Sequence, residues 1–273
     1  YSANLGNFIF DLYGGDQNYW ALRSLHYNET GGTLKLGARA IFIEGFNPVC
    51  GFSWLYDIYA YYLVSDYAVY PHPHTGSYIP VRANFTIQTA GPTGKLSVPS
   101  DAQTYNVTSG AFQTVGSDVT AKSKVTFNFT LGEWHHGEKI NKADILFTIR
   151  EAFRVTTPGT EIYDAIAVSP PRIVFVDNFK GIKFLSDNVA EVYFDYWHVD
   201  KSYIAWYAAA GVWPDTPWEL ICTGNKVVSE KKAAWSIDQA DILGVDMLDL
   251  TKGTSLALLQ EAYDELSHLN YIP

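Results

Sequence analysis

Several things are scarce in this chain, and each scarcity narrows what it can do. Basic residues are outnumbered, 19 Lys+Arg against 29 Asp+Glu, for a net charge of -10. A nucleic-acid binder normally presents a basic face, so DNA and RNA are poor partners. No apolar run approaches the roughly 18 residues of a membrane-spanning helix. The longest, residues 204–213, contains a glycine and suits a buried core segment. Methionine occurs once, at Met247, the chain opens on Tyr1, and nothing near it has the zones of a signal peptide, so the sequence reads as a trimmed piece of something longer. Cysteine occurs twice, at Cys50 and Cys222. That pair fits one extracellular disulfide or two separate buried thiols, and the sequence leaves both open.

Catalytic signatures are missing as well. There is no Gly-x-Ser-x-Gly elbow, no phosphate loop, no dinucleotide fingerprint and no HExxH spacing. Cys50 has no local signature of a nucleophile, and Glu44, Asp57 and Asp195 are unranked as paired carboxylates, whose spacing is spatial. His135 and His136 with Glu133 and Glu138 read as a polar turn, and His72-Pro73-His74 as a proline-stiffened loop, so no metal is expected. No catalytic residue and no cofactor is expected either.

What is abundant is apolar and aromatic. The chain is 47% hydrophobic, with 8 Trp, 19 Tyr and 15 Phe, enough for a core that needs no staple. Aromatics crowd two segments, from Trp54 to Tyr70 and from Trp197 to Trp218. Core packing explains any single ring, while the clustering suits an exposed cleft that stacks sugars or contacts peptides. Four triplets fit the N-glycosylation sequon, at Asn28, Asn84, Asn106 and Asn128, and with the acidic charge they favour an exported protein.

Periodicity gives a mixed α and β chain without internal repeats. Residues 8–13 and 33–38 read as strands, and Ser53 caps a helix carrying Trp54, Ile58, Tyr61 and Tyr62. Residues 79–89 are extended. Residues 89–124, rich in Gly, Ser, Thr and Asp, read as a surface excursion of loops with a hairpin. The clearest strand is 125–131, with Val125, Phe127, Phe129 and Leu131 on one face. A helix follows Asn141, with Asp144 as the reciprocal partner of a capping box. Residues 172–177, 181–185 and 189–195 read as a three-stranded meander, Asp200 opens a helix to Ala210, and Thr254 caps a last helix whose face is Leu256, Leu259, Tyr263, Leu266 and Leu269.

The strand from Val125 to Leu131, then Glu133-Trp134-His135-His136-Gly137-Glu138 and Ala143-Asp144-Ile145, resembles the signature of solute-binding protein family 5, the oligopeptide, dipeptide and nickel type of ABC importer. There a strand ends in a Trp-x-Asp-Gly turn before a helix opens with Ala-Asp-Asp-Val; here His136 stands in the aspartate's place. Phe46-Asn47-Pro48 looks like the family's N-terminal element, and the strand and apolar helix of 189–196 and 203–213 look like those that close the same lobe. Residues 235–250 and the ending Asn270-Tyr271-Ile272-Pro273 are similar to a long archaeal subgroup.

The resemblance implies the first lobe of a type II-like periplasmic-binding-protein clamshell, a mixed β-sheet flanked by helices with the excursion at 89–124. Residues 1–32 would be the tail of an upstream segment and 33–273 the lobe. Its implied partners are an oligopeptide or oligosaccharide solute, ABC permease subunits and a second lobe of the full-length protein, anchored at the cell surface. The expected cleft lining is Phe46, Asn47, Trp54, Tyr56 and Trp213. A secreted carbohydrate-active enzyme and a surface-layer or adhesive domain are the competing readings.

Overall fold

The computed structural model describes residues 45–52, 57, 58, 61, 65–72 and 75–269. In chain order the strands are β1 (Val69–Pro71), β2 (Tyr78–Pro80), β3 (Ala83–Thr89), β4 (Leu96–Ser97), β5 (Gln103–Asn106), β6 (Ala111–Thr114), β7 (Thr120–Ala121), β8 (Ser123–Phe129), β9 (Phe179–Phe184) and β10 (Val189–Phe194). The helices are α1 (Lys142–Thr156), α2 (Pro170–Asn178), α3 (Ser202–Ala209), α4 (Trp218–Ser229), α5 (Ile237–Leu243) and α6 (Gly253–His268).

The strict alternation of β8 organises the rest. Val125, Phe127 and Phe129 are buried, while Lys124, Thr126 and Asn128 look outward. With both ladder edges occupied, β8 takes β3 on one side and β10 on the other, in a six-stranded sheet of order β3-β8-β10-β9-β5-β6. Every pairing in it is antiparallel, so the expected mixed sheet is corrected. Strands β8 and β9 are each antiparallel to β10 and so run parallel to one another without pairing, joined by a crossover through α1 and α2.

Helices cover the apolar face. Ile145 and Ile149 of α1, Phe175 of α2, and Ile204, Ala205 and Ala208 of α3 join the β8 side chains in one core. The capping box at α1 forms as expected: Asn141 accepts from the Ala143 N–H at 2.8 Å, and Asp144 accepts from the Asn141 N–H at 2.8 Å. The opposite face carries polar pairs, such as Lys124 with Glu191 at 2.6 Å, and among the described residues is covered only around Tyr193. A second core joins α4, α6 and the end of α1 around Trp235, Val227, Leu248 and Leu259. Trp235 fits because residue 224 is glycine: a Cβ there would lie 2.1 Å from the indole.

Several expectations need correction. Residues 172–177 are helical, within α2, because Pro170 and Pro171 occupy its first turn, where a missing N–H and a fixed φ favour a helix. The β-branched run Ile173-Val174 followed by Val176 pointed to a strand, and this local start signal overrides it. The following two segments do form a hairpin, β9–β10. The stretch 89–124 is more than an excursion: its hairpin β5–β6 joins the main sheet through Gln103 beside Ile182, and Val98, Ala102, Ala121 and Tyr193 form a small core under it. Helix α6 lacks a side-chain cap, and its buried face is Ser255, Leu259 and Ala262; Leu256, Tyr263 and Leu269 are exposed.

Cys50 is exposed and Cys222 buried, both as free thiols, so the disulfide alternative is not formed. Asn84 and Asn128 are exposed cross-strand partners on the polar face, and Asn106 opens the β5–β6 turn. Asn28, the strands proposed at 8–13 and 33–38 and the boundary at 32 lie outside the described residues, as does the Ser53 cap. Asp57, Ile58 and Tyr61 are helical.

Candidate binding cleft

Three segments far apart in sequence meet at one edge of the main core and enclose a cleft of about 400 Å³. The first is the turn around Phe46 and Pro48. Phe46 is fixed through its backbone: its N–H donates to Asp249 at 3.2 Å, and its carbonyl accepts from Leu250 at 2.7 Å. Its ring packs on Phe52 and Tyr61 at 4.7 and 5.7 Å.

The second wall is the turn from Glu133 to Ile140. It closes because the Trp134 N–H donates to the Glu138 carbonyl at 2.8 Å and Gly137 takes φ 95, a left-handed conformation that glycine adopts without strain. None of this uses the side chain of His136, which is exposed. Trp134 is oriented by the same carboxylate that caps α1: its indole N–H donates to Asp144 at 3.3 Å. The capping residue thus also positions a cleft side chain.

The third wall is Trp213 to Leu220, the link between α3 and α4. Gly211 lets the chain pass against Phe175, where a Cβ would sit 2.3 Å from the ring. Trp213 then stacks on Phe129 at 6.2 Å and donates its indole N–H to the Asp66 carbonyl at 3.1 Å. Pro214 and Pro217 bracket Asp215 and Thr216 and stiffen the loop that carries them.

Charge in the cleft is mostly negative. Asp66, Glu133 and Asp215 line it with Arg82 and His135, and Arg82 pairs with Asp66 at 3.3 Å. Asp215 is exposed at the mouth of the cleft, with protein atoms crowded close around its carboxyl. Those surroundings push its carboxyl above the ordinary aspartate range, and the Arg172 charge and a Thr216 hydrogen bond oppose the shift. Arg172 donates to the carbonyls of Val168 and Val49 at 2.8 and 3.3 Å and forms no ion pair among the described residues. With Asp215, Glu151 and Asn225 it lines a smaller cavity of about 90 Å³ behind Trp213.

Of the expected lining residues, Phe46 and Trp213 are cleft walls. Asn47 is not, and this expectation is corrected. Its side chain is fully buried, donates to the carbonyls of Trp235 and Leu248 at 2.8 and 3.0 Å, and accepts from the N–H groups of Val49 and Cys50 at 3.0 and 2.9 Å. An amide whose two donors and two acceptor sites are all used is a core staple. Trp54 and Tyr56 lie outside the described residues. Sequence reasoning missed Asp66, Arg82 and Asp215; for the last, the signal was there in Trp213-Pro214-Asp215-Thr216-Pro217-Trp218, an acid held between prolines and tryptophans. Asp57 is buried on its helix and Asp195 lies 3.9 Å from Lys122, and neither is a wall of the cleft.

Among the described residues no group of three His, Cys, Asp or Glu side chains is placed to hold a metal ion, and no helix is long and apolar enough to cross a membrane. Comparison with protein-family models gives no match, and comparison with curated proteins gives none either.

Proposed function

We propose that this chain is a solute-binding lobe of the solute-binding protein family 5 type, receiving an oligopeptide or oligosaccharide at the cell surface for delivery to an ABC permease. One observation carries the reading. The segments whose sequences suggested it, Phe46 to Pro48, Glu133 to His135 and the stretch ending at Trp213, are far apart in the chain yet converge on a single cleft. A wall of Phe46, Tyr61, Trp134 and Trp213 offers flat apolar faces, and Asp66, Glu133, Arg82 and Asp215 offer polar groups at its rim. Such a surface stacks against sugar rings or peptide side chains and orients them by hydrogen bonds. Enclosure from one side leaves the solute half solvated, so a second lobe closing over it would add the remaining contacts and bias an open–closed equilibrium.

Titration of the chain with maltotetraose and with trialanine, followed by tryptophan fluorescence, tests the reading. The expected result is saturable binding of one of them in the millimolar range, with the ligand recovered intact by chromatography. No response to either overturns it.

A second reading has one observation in its favour. Asp215, its carboxyl raised, and Glu133 line the same cleft, and glycoside hydrolysis works through a pair of carboxyl groups of which one has a raised pKa. Cleaved maltotetraose in the same chromatogram would favour it over the binding reading.

A further inference from the structure

The cleft has a side pocket of about 180 Å³, reached past Tyr61, Asp66, Trp213 and Asp215, which line both spaces. Its other large side chains are Tyr67 and Trp206, and Ala68, Val69, Ala209 and Ala210 complete the wall. No lysine or arginine is among these lining residues.

We propose that this side pocket is an organic-cation subsite, in which Tyr61, Tyr67, Trp206 and Trp213 surround an alkylated ammonium group and Asp215 supplies its counter-charge. The inference rests on the binding reading of the cleft and names the class of solute it takes.

The rings are set in place by contacts behind them. Trp206 stacks on Tyr78 at 4.8 Å and Trp213 on Phe129 at 6.2 Å. Tyr67 packs on Tyr70 at 4.6 Å. A cage built on rings already packed need not be ordered by the ligand, so little conformational entropy is lost on binding. The two carboxylates differ in role. Asp66 is held by Arg82 at 3.3 Å and receives the Tyr67 N–H at 3.1 Å, so its charge is largely answered. Asp215 has no ion pair among the described residues, with Arg172 acting on it from beyond salt-bridge distance. The Tyr61 hydroxyl is close enough to feel both Asp215 and Tyr67; burial first and then these two neighbours push its pKa up, so it stays a protonated, uncharged donor.

Alkylation matters to the choice of ligand. A bare ammonium keeps strongly bound water that aromatic faces cannot replace, whereas an alkylated ammonium presents methyl groups carrying diffuse positive charge, which the negative faces of Trp and Tyr attract. A neutral sugar would leave Asp215 without a counter-charge, and an anion would meet two carboxylates.

Choline and dimethylbutanol, its uncharged isostere, isolate the charge. We would titrate the whole chain with each, following the indole N–H signals of Trp206 and Trp213 by NMR, and repeat the choline titration with Asp215→Asn and Tyr61→Leu. The expected result is saturable shifts with choline at an affinity roughly tenfold above dimethylbutanol, a ratio equivalent to about 1.4 kcal/mol, and at least fivefold weaker choline binding in both variants. Asp215 opens into the cleft, so Asp215→Asn leaves the fold intact, and the ligand pair remains decisive if Tyr61→Leu does not fold. Equal binding of choline and dimethylbutanol, or unchanged choline affinity in Asp215→Asn, overturns the subsite. Maltotetraose or trialanine shifting Trp134 while choline leaves Trp206 unmoved overturns the subsite alone; silence towards all of these ligands overturns the binding reading with it.

Discussion

Asn47 shows how a residue can look like a ligand contact and be something else. In Phe46-Asn47-Pro48 it sits between two cleft-wall residues, and only the burial and four bonds of its amide reveal a staple joining the first described turn to the carbonyls of Trp235 and Leu248. Asn47→Ala would strand two buried carbonyls and two N–H groups, each worth about 1–3 kcal/mol when left unmade. Chemical denaturation should therefore show a loss of at least about 3 kcal/mol; a loss below about 1 kcal/mol would mean that water reaches these groups. Asn225 continues the network, accepting from the Trp235 indole N–H at 3.1 Å and donating to Glu151 at 2.5 Å. Gly224 beside it admits no side chain, so Gly224→Ala should lower thermal stability markedly and shift the near-ultraviolet circular dichroism of Trp235.

At the scale of elements, what was legible depended on how local the signal was. The alternation of β8 and the Asn141–Asp144 capping box are encoded within a few residues and formed as read. Replacing Asn141 by alanine should cost about 1 kcal/mol, the usual worth of a cap, and should also loosen Trp134, because Asp144 would lose the geometry that lets it serve both. Where two local signals competed, as at 170–177, a proline start outweighed β-branched propensity. The stripe on α6 misled because period alone does not say which face finds a partner: Leu259 does, while Leu256 and Tyr263, on the face it defined, do not. Convergence of Asp66, Arg82 and Asp215 on one cleft is tertiary, and no spacing in the chain could have announced it. The loop before α6 carries a pH dependence of its own. Burial alone would raise the Asp249 pKa, but hydrogen bonds from Thr251 and the Phe46 N–H hold it below the ordinary aspartate value. A depressed folded-state pKa contributes stability above the unfolded value, near 4, that is lost as pH falls through the folded one. Asp249→Asn should therefore flatten the acid limb of the stability–pH profile, and an unchanged slope would assign that limb to other carboxylates.

For the molecule as a whole, an antiparallel sheet covered on one face by helices leaves its loops to form a one-sided cleft, and the proposed role follows from what that cleft presents. The sharpest discriminator is which tryptophans sense a solute. Trp134 and Trp213 are cleft walls, whereas Trp235 is buried in the second core with its N–H bonded to Asn225. An NMR titration of the indole N–H signals with maltotetraose and trialanine therefore tests the central claim most directly. The prediction is that the Trp134 and Trp213 signals move together along one saturation curve while that of Trp235 stays fixed; a solute that shifts Trp235, or binds while leaving both cleft tryptophans still, would contradict it.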